Sequence, residues 1–191
     1  MTALLNIFSA FGLSASAGLN AYIPLLVVAL MARFTNLIEL NKPYDLLTNW
    51  WIIVLLIILT IVEFLVDKFP VINHINDFIV QTFVRPAAGA LVFAASTDVV
   101  SNLNPVLAVM LGLLMAGAVH TVKTVAIRPA IGVATAGTGN VPISVAEDAT
   151  STTLSVLSIV VPTVVATIFV IFLGWLFWFL FIRTPQKETL K

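Results

Sequence analysis

The sequence contains no cysteine and few charged residues. Without cysteine, its 191 residues form no disulfide, carry no thiolate nucleophile and bind no metal through sulfur. Charged residues make up 9% of the chain, whereas soluble domains carry about 25%. Nine basic and nine acidic residues cancel, which excludes a nucleic-acid partner held by bulk charge. Any functional charge is therefore local.

Enzyme fingerprints are also absent. The two histidines belong to no HExxH pattern, and the chain has no GxSxG, phosphate-loop or dinucleotide-binding motif. The acidic residues Asp98, Glu147 and Asp148 could hold a divalent metal for phosphoryl transfer, but nothing in the sequence brings them together. We therefore predict that the protein is not an enzyme and needs no cofactor.

Hydrophobic residues, by contrast, make up 60% of the chain. A helix needs about 20 apolar residues to cross a bilayer, so the chain has room for several crossings and for no sizeable soluble domain. We predict an all-α integral membrane protein with a single transmembrane domain, residues 1–182, and a basic tail, residues 183–191. Four full crossings are predicted, at Leu19–Arg33, Trp50–Phe69, Pro105–His120 and a final helix that runs past Pro162 to Ile182.

The two ends of the chain indicate its orientation. The N-terminus lacks the basic leader of a secretory signal, so we expect it in the mature protein. Arg183, Lys187 and Lys191 follow the last apolar stretch, which favours a cytoplasmic C-terminus. With four crossings, both termini are then cytoplasmic.

The first and last apolar stretches are too long for one straight crossing. Leu4 to Phe34 far exceeds a hydrocarbon core of about 30 Å. We predict a break at Gly12–Asn20, where small and hydroxyl residues cluster, with Pro24 a turn further on. A tilted, kinked helix with a small-residue packing face is the alternative. Near the other end, Ser144-x-x-Glu147 is typical of a capping box that begins a helix.

A short motif occurs twice. Residues 84–89 read VRPAAG and residues 127–132 read IRPAIG. Proline is tolerated in the first turn of a helix, so we predict that Pro86 and Pro129 open two short re-entrant helices. A helix N-terminus attracts anions, and a preceding arginine adds a full charge with five hydrogen-bond donors. The glycines three residues after each proline permit close helix contact.

These two elements are expected to converge on one buried anionic group, either a substrate or a carboxylate of the protein. A weaker echo pairs residues 19–30 with residues 157–168, which suggests inverted repeats of the kind found in transporters. The predicted substrate-binding residues are Arg85, Arg128, Pro86, Pro129, Gly89 and Gly132. The alternative places both arginines at the water interface, where they reach toward lipid headgroups.

Acidic residues accompany the arginines. Glu63 and Asp67 are four apart and lie on one face of a helix, and Asp98 follows the first Arg-Pro motif. Intramembrane acids mark ion paths or pair with bases. We predict that these three handle a coupling cation or balance charge, with Arg85, Arg128 or Lys123 as the basic partner of Glu63 and Asp67. A structural ion pair is the alternative.

Three segments resemble a known family. GLSASAGLNAYIPLL (12–26), VEFLVDKFPVIN (62–73) and RPAAGAL (85–91) look like an uncharacterised family of small bacterial multi-pass membrane proteins, the domain of unknown function 4126. The resemblance implies a location in the inner (cytoplasmic) membrane and implies no activity. In plan alone, paired re-entrant helices with buried arginines are similar to translocases that recycle polyprenyl-phosphate carriers.

The sequence thus leads to two functional hypotheses. The first is a small transporter or lipid translocase that binds an anionic group, with the lipid bilayer and a small anion or anionic lipid as its partners. The second is a non-transporting membrane scaffold or assembly factor in which the arginines form structural ion pairs. Small membrane proteins often act as oligomers, so a homodimer is one expectation.

Overall fold

The computed structural model describes residues 3–67, 81–97, 102 and 104–179. Within them the chain is helical and contains no strand, which confirms the all-α prediction. The helices are α1 Ala3–Leu19, α2 Tyr22–Phe34, a 3₁₀ turn Tyr44–Thr48, α3 Trp50–Val66, α4 Gln81–Ser96, α5 Pro105–Val122, α6 Arg128–Ala134, α7 Asn140–Val160 and α8 Pro162–Phe177. A π-helical segment, Lys123–Ile127, joins α5 to α6.

Asparagine side chains begin three of these helices. Asn20 accepts hydrogen bonds from the backbone N–H groups of Tyr22 and Ile23 at the start of α2. Asn49 does the same for Trp51 in α3, and Asn104 for Val106 and Leu107 in α5. An asparagine in this position satisfies donors that have no partner inside the helix. The amide side chains therefore determine where these helices start.

Both long apolar stretches are interrupted. The first is helical through Leu19 and breaks at Asn20–Ala21. The observed break therefore lies at the C-terminal edge of the segment Gly12–Asn20 in which a break was predicted. The last breaks at Val161, where the chain bends by 114° between α7 and α8. Proline at the first position of α8 allows this corner, because its missing N–H would have no helical partner there.

Helix α1 is central and packs against α4, α5, α7 and α8. Small residues bring the backbones together. A Cβ on Gly89 of α4 would overlap Ala116 of α5 and lie 2.9 Å from the carbonyl oxygen of Gly112. A Cβ on Gly18 of α1 would lie 2.6 Å from the carbonyl oxygen of Ala116. Glycine is therefore required where α1, α4 and α5 meet.

Many apolar side chains face outward and several ionisable side chains are buried, which is the reverse of the distribution in a soluble protein. Large apolar residues of α3, α5 and α8 face outward, and the Trp51 side chain is 83% exposed. Arg85 and Lys123 are instead buried, with 0% and 1% exposure. Soluble proteins almost never bury such residues without partners.

By length and composition, one continuous helix in the described part of the chain, Pro105–Ala134, could cross a membrane. The bent pair α7 and α8 passes the same test if taken together, and α1, α2 and α3 are shorter apolar helices. The four crossings therefore stay a prediction. Phe69 at the end of the second predicted crossing, the last residues of the final one and the basic tail lie outside the described residues.

Candidate functional site

The two motif arginines meet at one carboxylate. Arg85 comes from α4 and Arg128 from the first residue of α6. Their Nη2 atoms lie 3.7 Å and 3.5 Å from the same oxygen, Asp67 Oδ2, directly after α3. Residues 43 positions apart in sequence thus share one buried anionic group, as the sequence predicts, and that group is a side chain of the protein itself.

Arg85 is fully enclosed. Its Nη2 lies 3.0 Å from Glu63 Oε1, and its Nε donates to Gln81 Oε1 one turn earlier on α4, at 3.3 Å. Glu63 and Asp67 stand one turn apart on the face of α3 toward α4, so both reach the same guanidinium. The prediction that the acids of α3 pair with Arg85, Arg128 or Lys123 is therefore confirmed.

Arg128 pairs chiefly with Glu147 on α7. Its Nη2 lies 2.7 Å from Glu147 Oε2 and 3.1 Å from Ser144 Oγ, and its Nε lies 3.3 Å from Glu147 Oε1. Lys123 Nζ reaches the same Glu147 Oε2 at 2.9 Å. The capping-box prediction is wrong, because α7 begins at Asn140 and Ser144 lies inside it. Ser144 and Glu147 are three residues apart inside α7, so both side chains point toward Arg128 instead.

The π segment explains how Lys123 and Arg128 share one acid. Five residues span about 500° in an α-helix, which would place their side chains on different faces. In the π turn the Arg128 N–H bonds to the Lys123 carbonyl oxygen, so residues five apart come to the same side. Pro129 lacks the N–H for an α-helical bond to Val125, and such a defect favours a π-bulge.

The break between α1 and α2 lies against this cluster. The Leu19 carbonyl accepts from Lys123 Nζ at 3.0 Å, and the Ala21 N–H points to Glu63 Oε1 at 3.5 Å. Asn20 Nδ2 donates to Asp148 Oδ1 on α7 at 2.9 Å while its own oxygen caps α2. Charged side chains thus stabilise the backbone groups that the break releases.

The predicted N-terminal helix sites are not formed. Pro86 lies inside α4, five residues after its start, so the prediction that it opens a helix is wrong. Pro129 does lie in the first turn of α6, but Ile127 before it is helical. Neither motif therefore offers a free helix end to an anion. The two glycines also differ, because Gly89 contacts α5 whereas a Cβ on Gly132 would meet nothing within 4 Å.

Sequence reasoning missed three polar residues of the cluster, Asn20, Gln81 and Ser144. Asn20 was detectable as the last residue of the predicted break, and Gln81 as a polar residue one turn before Arg85. His120, the last residue of the third predicted crossing, is 4% exposed. Asp98, predicted to balance charge, lies outside the described residues.

Within the described residues, the cluster holds three basic and four acidic side chains: Arg85, Lys123 and Arg128, with Glu63, Asp67, Glu147 and Asp148. The arginines therefore face carboxylates already, and an incoming anion would have to replace one of them. No three potential ligands in the described part of the chain are placed to hold a metal ion. Glu147, one of the acids considered for metal binding, is engaged by Arg128 and Lys123 instead.

A family model described as "Domain of unknown function (DUF4126)" matches residues 7–181. The chain belongs to this family. No curated protein and no solved structure matches it. The DUF4126 match covers every residue of the charged cluster, from Asn20 to Asp148, so the cluster lies inside the family's domain.

Proposed function

We propose that the protein is a small membrane transporter or lipid translocase whose substrate carries an anionic group. The substrate binds between Arg85 and Arg128, at the position that Asp67 Oδ2 occupies. The observation that carries this proposal is the sharing of that one oxygen by two arginines in the interior of a helical bundle.

The distances support Asp67 as the partner that a substrate replaces. Charge-assisted hydrogen bonds measure about 2.7–2.9 Å, which is close to the Arg128–Glu147 distance of 2.7 Å and the Arg85–Glu63 distance of 3.0 Å. The two contacts with Asp67, at 3.5 Å and 3.7 Å, are looser. An oxygen of a phosphate or carboxylate could replace Asp67 while both close pairs persist.

The helix break at Asn20–Ala21 supports transport. Unwound backbone at membrane depth is tolerated where protein groups or a water-filled cavity satisfy it. Transporters use such breaks near the bilayer midplane to bind substrates and coupling ions. Here Lys123 and Glu63 bind the backbone groups on the two sides of the break, so a change at the charged cluster would move α1 relative to α2.

The distribution of side chains supports a membrane location. Outward apolar faces on α3, α5 and α8 match a hydrocarbon solvent, and intramembrane charges are expected to face the bundle interior. We propose a multi-pass protein of the bacterial inner membrane, with four crossings and a cytoplasmic C-terminus. Arg85 then lies on α4, which is not one of the four crossings, and Arg128 lies beyond His120 in the continuous helix Pro105–Ala134.

A non-transporting scaffold is the second candidate. The close Arg85–Glu63 and Arg128–Glu147 pairs favour it, because they already satisfy both arginines. In this case the cluster joins α3, α4, α6 and α7 and selects one arrangement of the helices.

Reconstitution separates the two candidates. Purified protein in liposomes is offered radiolabelled inorganic phosphate, or a fluorescent phosphatidic acid in one leaflet. We expect one probe to move faster than in empty liposomes, and Arg128→Ala to abolish that movement. Movement of phosphate alone identifies a soluble-anion transporter, and movement of phosphatidic acid alone identifies a lipid translocase.

Asp67→Asn gives a second readout that needs no transport. Removing the competing carboxylate should let phosphate raise the melting temperature at a lower concentration than in wild type, by about tenfold, or 1.4 kcal/mol. Asp45→Asn, the same change in the 3₁₀ turn outside the cluster, is the matched control and should match wild type. If neither probe moves and Asp67→Asn does not change phosphate binding, the scaffold is the better description.

A further inference from the structure

A row of polar side chains lines the contact between α1 and α7. Its residues from α1 and the break after it lie on one face, separated first by about two helical turns and then by about one. On α7 it recurs every three or four residues. Every member is less than one-tenth exposed. We call this row the α1–α7 seam: Ser9, Ser16 and Asn20 with Asp148, Ser151, Ser155 and Ser158.

Three hydroxyl groups of the seam bond to one another. Ser16 Oγ lies 2.8 Å from Ser151 Oγ and 2.6 Å from Ser155 Oγ, so three hydroxyls meet at one point. Ser151 Oγ also donates to the Ser16 carbonyl oxygen at 3.1 Å, and Ser16 Oγ can donate to the Ser151 carbonyl oxygen at 2.7 Å. A serine hydroxyl both donates and accepts. Such a contact can therefore pass a proton along, which an alanine packing face cannot.

The seam continues toward the N-terminal end of α1. Ser9 Oγ donates to the Ser158 carbonyl oxygen at 2.5 Å. Gly12 leaves room for the Ser158 hydroxyl, because a Cβ there would overlap Ser158 Oγ. Ser158 Oγ in turn donates to the Leu154 carbonyl oxygen at 2.6 Å. Successive seam residues on α7 are about one turn apart, or roughly 5 Å along the helix.

One end of the seam meets a cavity of about 260 Å³. Ser9 belongs to both the seam and the cavity wall, and the other polar lining residues are Asn6, Asn36, Glu39 and Ser96. Ser96 Oγ is buried without a hydrogen-bond partner among the described residues. Because a water molecule occupies about 30 Å³, the cavity has room for several waters, and a polar wall favours filling it.

The other end of the seam meets the charged cluster. Asn20 bonds to Asp148, and Glu147 is the next residue on α7. From Ser9 to Asn20 the row extends about 16 Å along α1. The ionisable groups that face this end come from every neighbouring element: Tyr22, Glu63, Asp67, Arg85, His120, Lys123, Arg128 and Glu147.

We infer that the α1–α7 seam conducts protons between the cavity at Ser9 and the buried carboxylates at Asp148, which makes the proton the coupling ion. Its role in coupling rests on the proposed function. The proton comes from water in the cavity, passes along the seam as the serine hydroxyls exchange their carbonyl acceptors for one another and for water that enters from the cavity, and ends on a carboxylate oxygen. Protonating one carboxyl of the cluster lowers the negative charge that opposes an incoming anion at Arg85 and Arg128.

The test follows carboxyl protonation directly, without any substrate. Purified protein is subjected to an acid jump, and the part of the infrared C=O band that Asp148→Asn removes is followed over time, because exposed carboxyl groups such as Glu39 also become protonated. We expect Ser16→Ala/Ser155→Ala to slow the appearance of this band by tenfold or more. Ser14→Ala is the matched control, because Ser14 is equally buried on α1 but donates to the Gly89 carbonyl on α4. It should keep the wild-type rate.

A second variant tests the cavity. Ser96→Leu fills the cavity from α4 and leaves every seam residue unchanged in sequence, and it should slow protonation as well. If Ser16→Ala/Ser155→Ala and Ser14→Ala protonate at the same rate, or if no carboxyl band appears in wild type, the proton path is refuted. A slowed seam variant in a protein that moves neither phosphate nor phosphatidic acid keeps the path and refutes the transport proposal. If phosphate or phosphatidic acid moves but the seam variant becomes protonated at the wild-type rate, the transport proposal stands and the proton path is refuted.

Discussion

The two Arg-Pro motifs have nearly the same sequence and very different surroundings. Arg85 lies in the middle of an α-helix, fully buried between Gln81 and the acids of α3. Arg128 follows a π turn, and its side chain is 13% exposed. The same residue pair therefore builds an enclosed anchor in one place and a partly accessible contact in the other.

The partners differ in the same way. Arg85 is the close basic partner of Glu63, whereas Glu147 has both Arg128 and Lys123. Loss of Arg85 would leave a buried carboxylate without its nearest positive charge, while loss of Arg128 would leave Glu147 with Lys123. What each arginine does therefore depends on its burial and on whether its acid has a second basic partner, rather than on the motif itself.

The largest expected effect is on stability. Arg85→Ala should lower the free energy of unfolding by about 3–5 kcal/mol, the usual cost of breaking a buried ion pair from one side. Arg128→Ala should cost roughly 1.5–3 kcal/mol, the value of a hydrogen bond to a charged group. Denaturant unfolding of the detergent-solubilised protein measures both.

Two controls make this comparison specific. Arg33→Ala removes an exposed arginine that stacks on Trp50 and lies outside the cluster, and it should change stability less than either motif variant. Arg85→Gln/Glu63→Gln removes both charges of one pair and should recover much of the loss. If Arg128→Ala destabilises the protein as much as Arg85→Ala, the distinction between anchor and accessible contact fails.

The motif glycines should give a smaller difference. Gly89→Ala drives a Cβ into Ala116 and the Gly112 carbonyl, so overpacking should cost about 1–3 kcal/mol. Gly132→Ala meets open space within α6, and alanine's better helix propensity should stabilise the protein by up to about 1 kcal/mol. Melting temperatures of the two variants check this. Equal losses would contradict the packing of α4 on α5.

Helix content and the charge partners could be predicted from the sequence for simple reasons. Long apolar runs in a chain that is 60% hydrophobic favour helices, and the spacing of four between Glu63 and Asp67 fixes their common face. A charge in an apolar interior needs an opposite charge, which limits the partners to the few basic residues near apolar segments. The convergence of Arg85 and Arg128 follows from the same scarcity.

The geometry of the motifs could not be predicted in the same way. Proline is compatible with a first turn or with a kinked interior, and tertiary packing of Gly89 against α5 decides for the interior in α4. The π turn brings Lys123 and Arg128 to the shared acid Glu147, which comes from a distant part of the chain. The order of the echoed segments is also reversed along the chain, because residues 19–30 precede the first Arg-Pro motif whereas residues 157–168 follow the second. A single tandem duplication therefore does not explain both echoes.

The smallest effect on stability is expected from the motif prolines, and it tests what forms the π turn. If Pro129 imposes that turn, Pro129→Ala restores the missing N–H and lets residues 123–129 become α-helical. Lys123 then rotates away from Glu147, since five α-helical residues separate side chains by about 140°. Alanine is about 3 kcal/mol better than proline in a helix interior, which should offset the lost ion pair and leave the melting temperature nearly unchanged.

The altered position of Lys123 is measurable by amine acylation and mass spectrometry. In wild type Lys123 is 1% exposed and should react slowly relative to the exposed Lys42. Pro129→Ala should raise this ratio about tenfold, while Pro86→Ala in α4, which has no π turn in its described residues, should leave it unchanged. If Lys123 stays protected in Pro129→Ala, the shared carboxylate of Glu147 rather than the proline holds the π turn, and the charged cluster then determines the backbone around it.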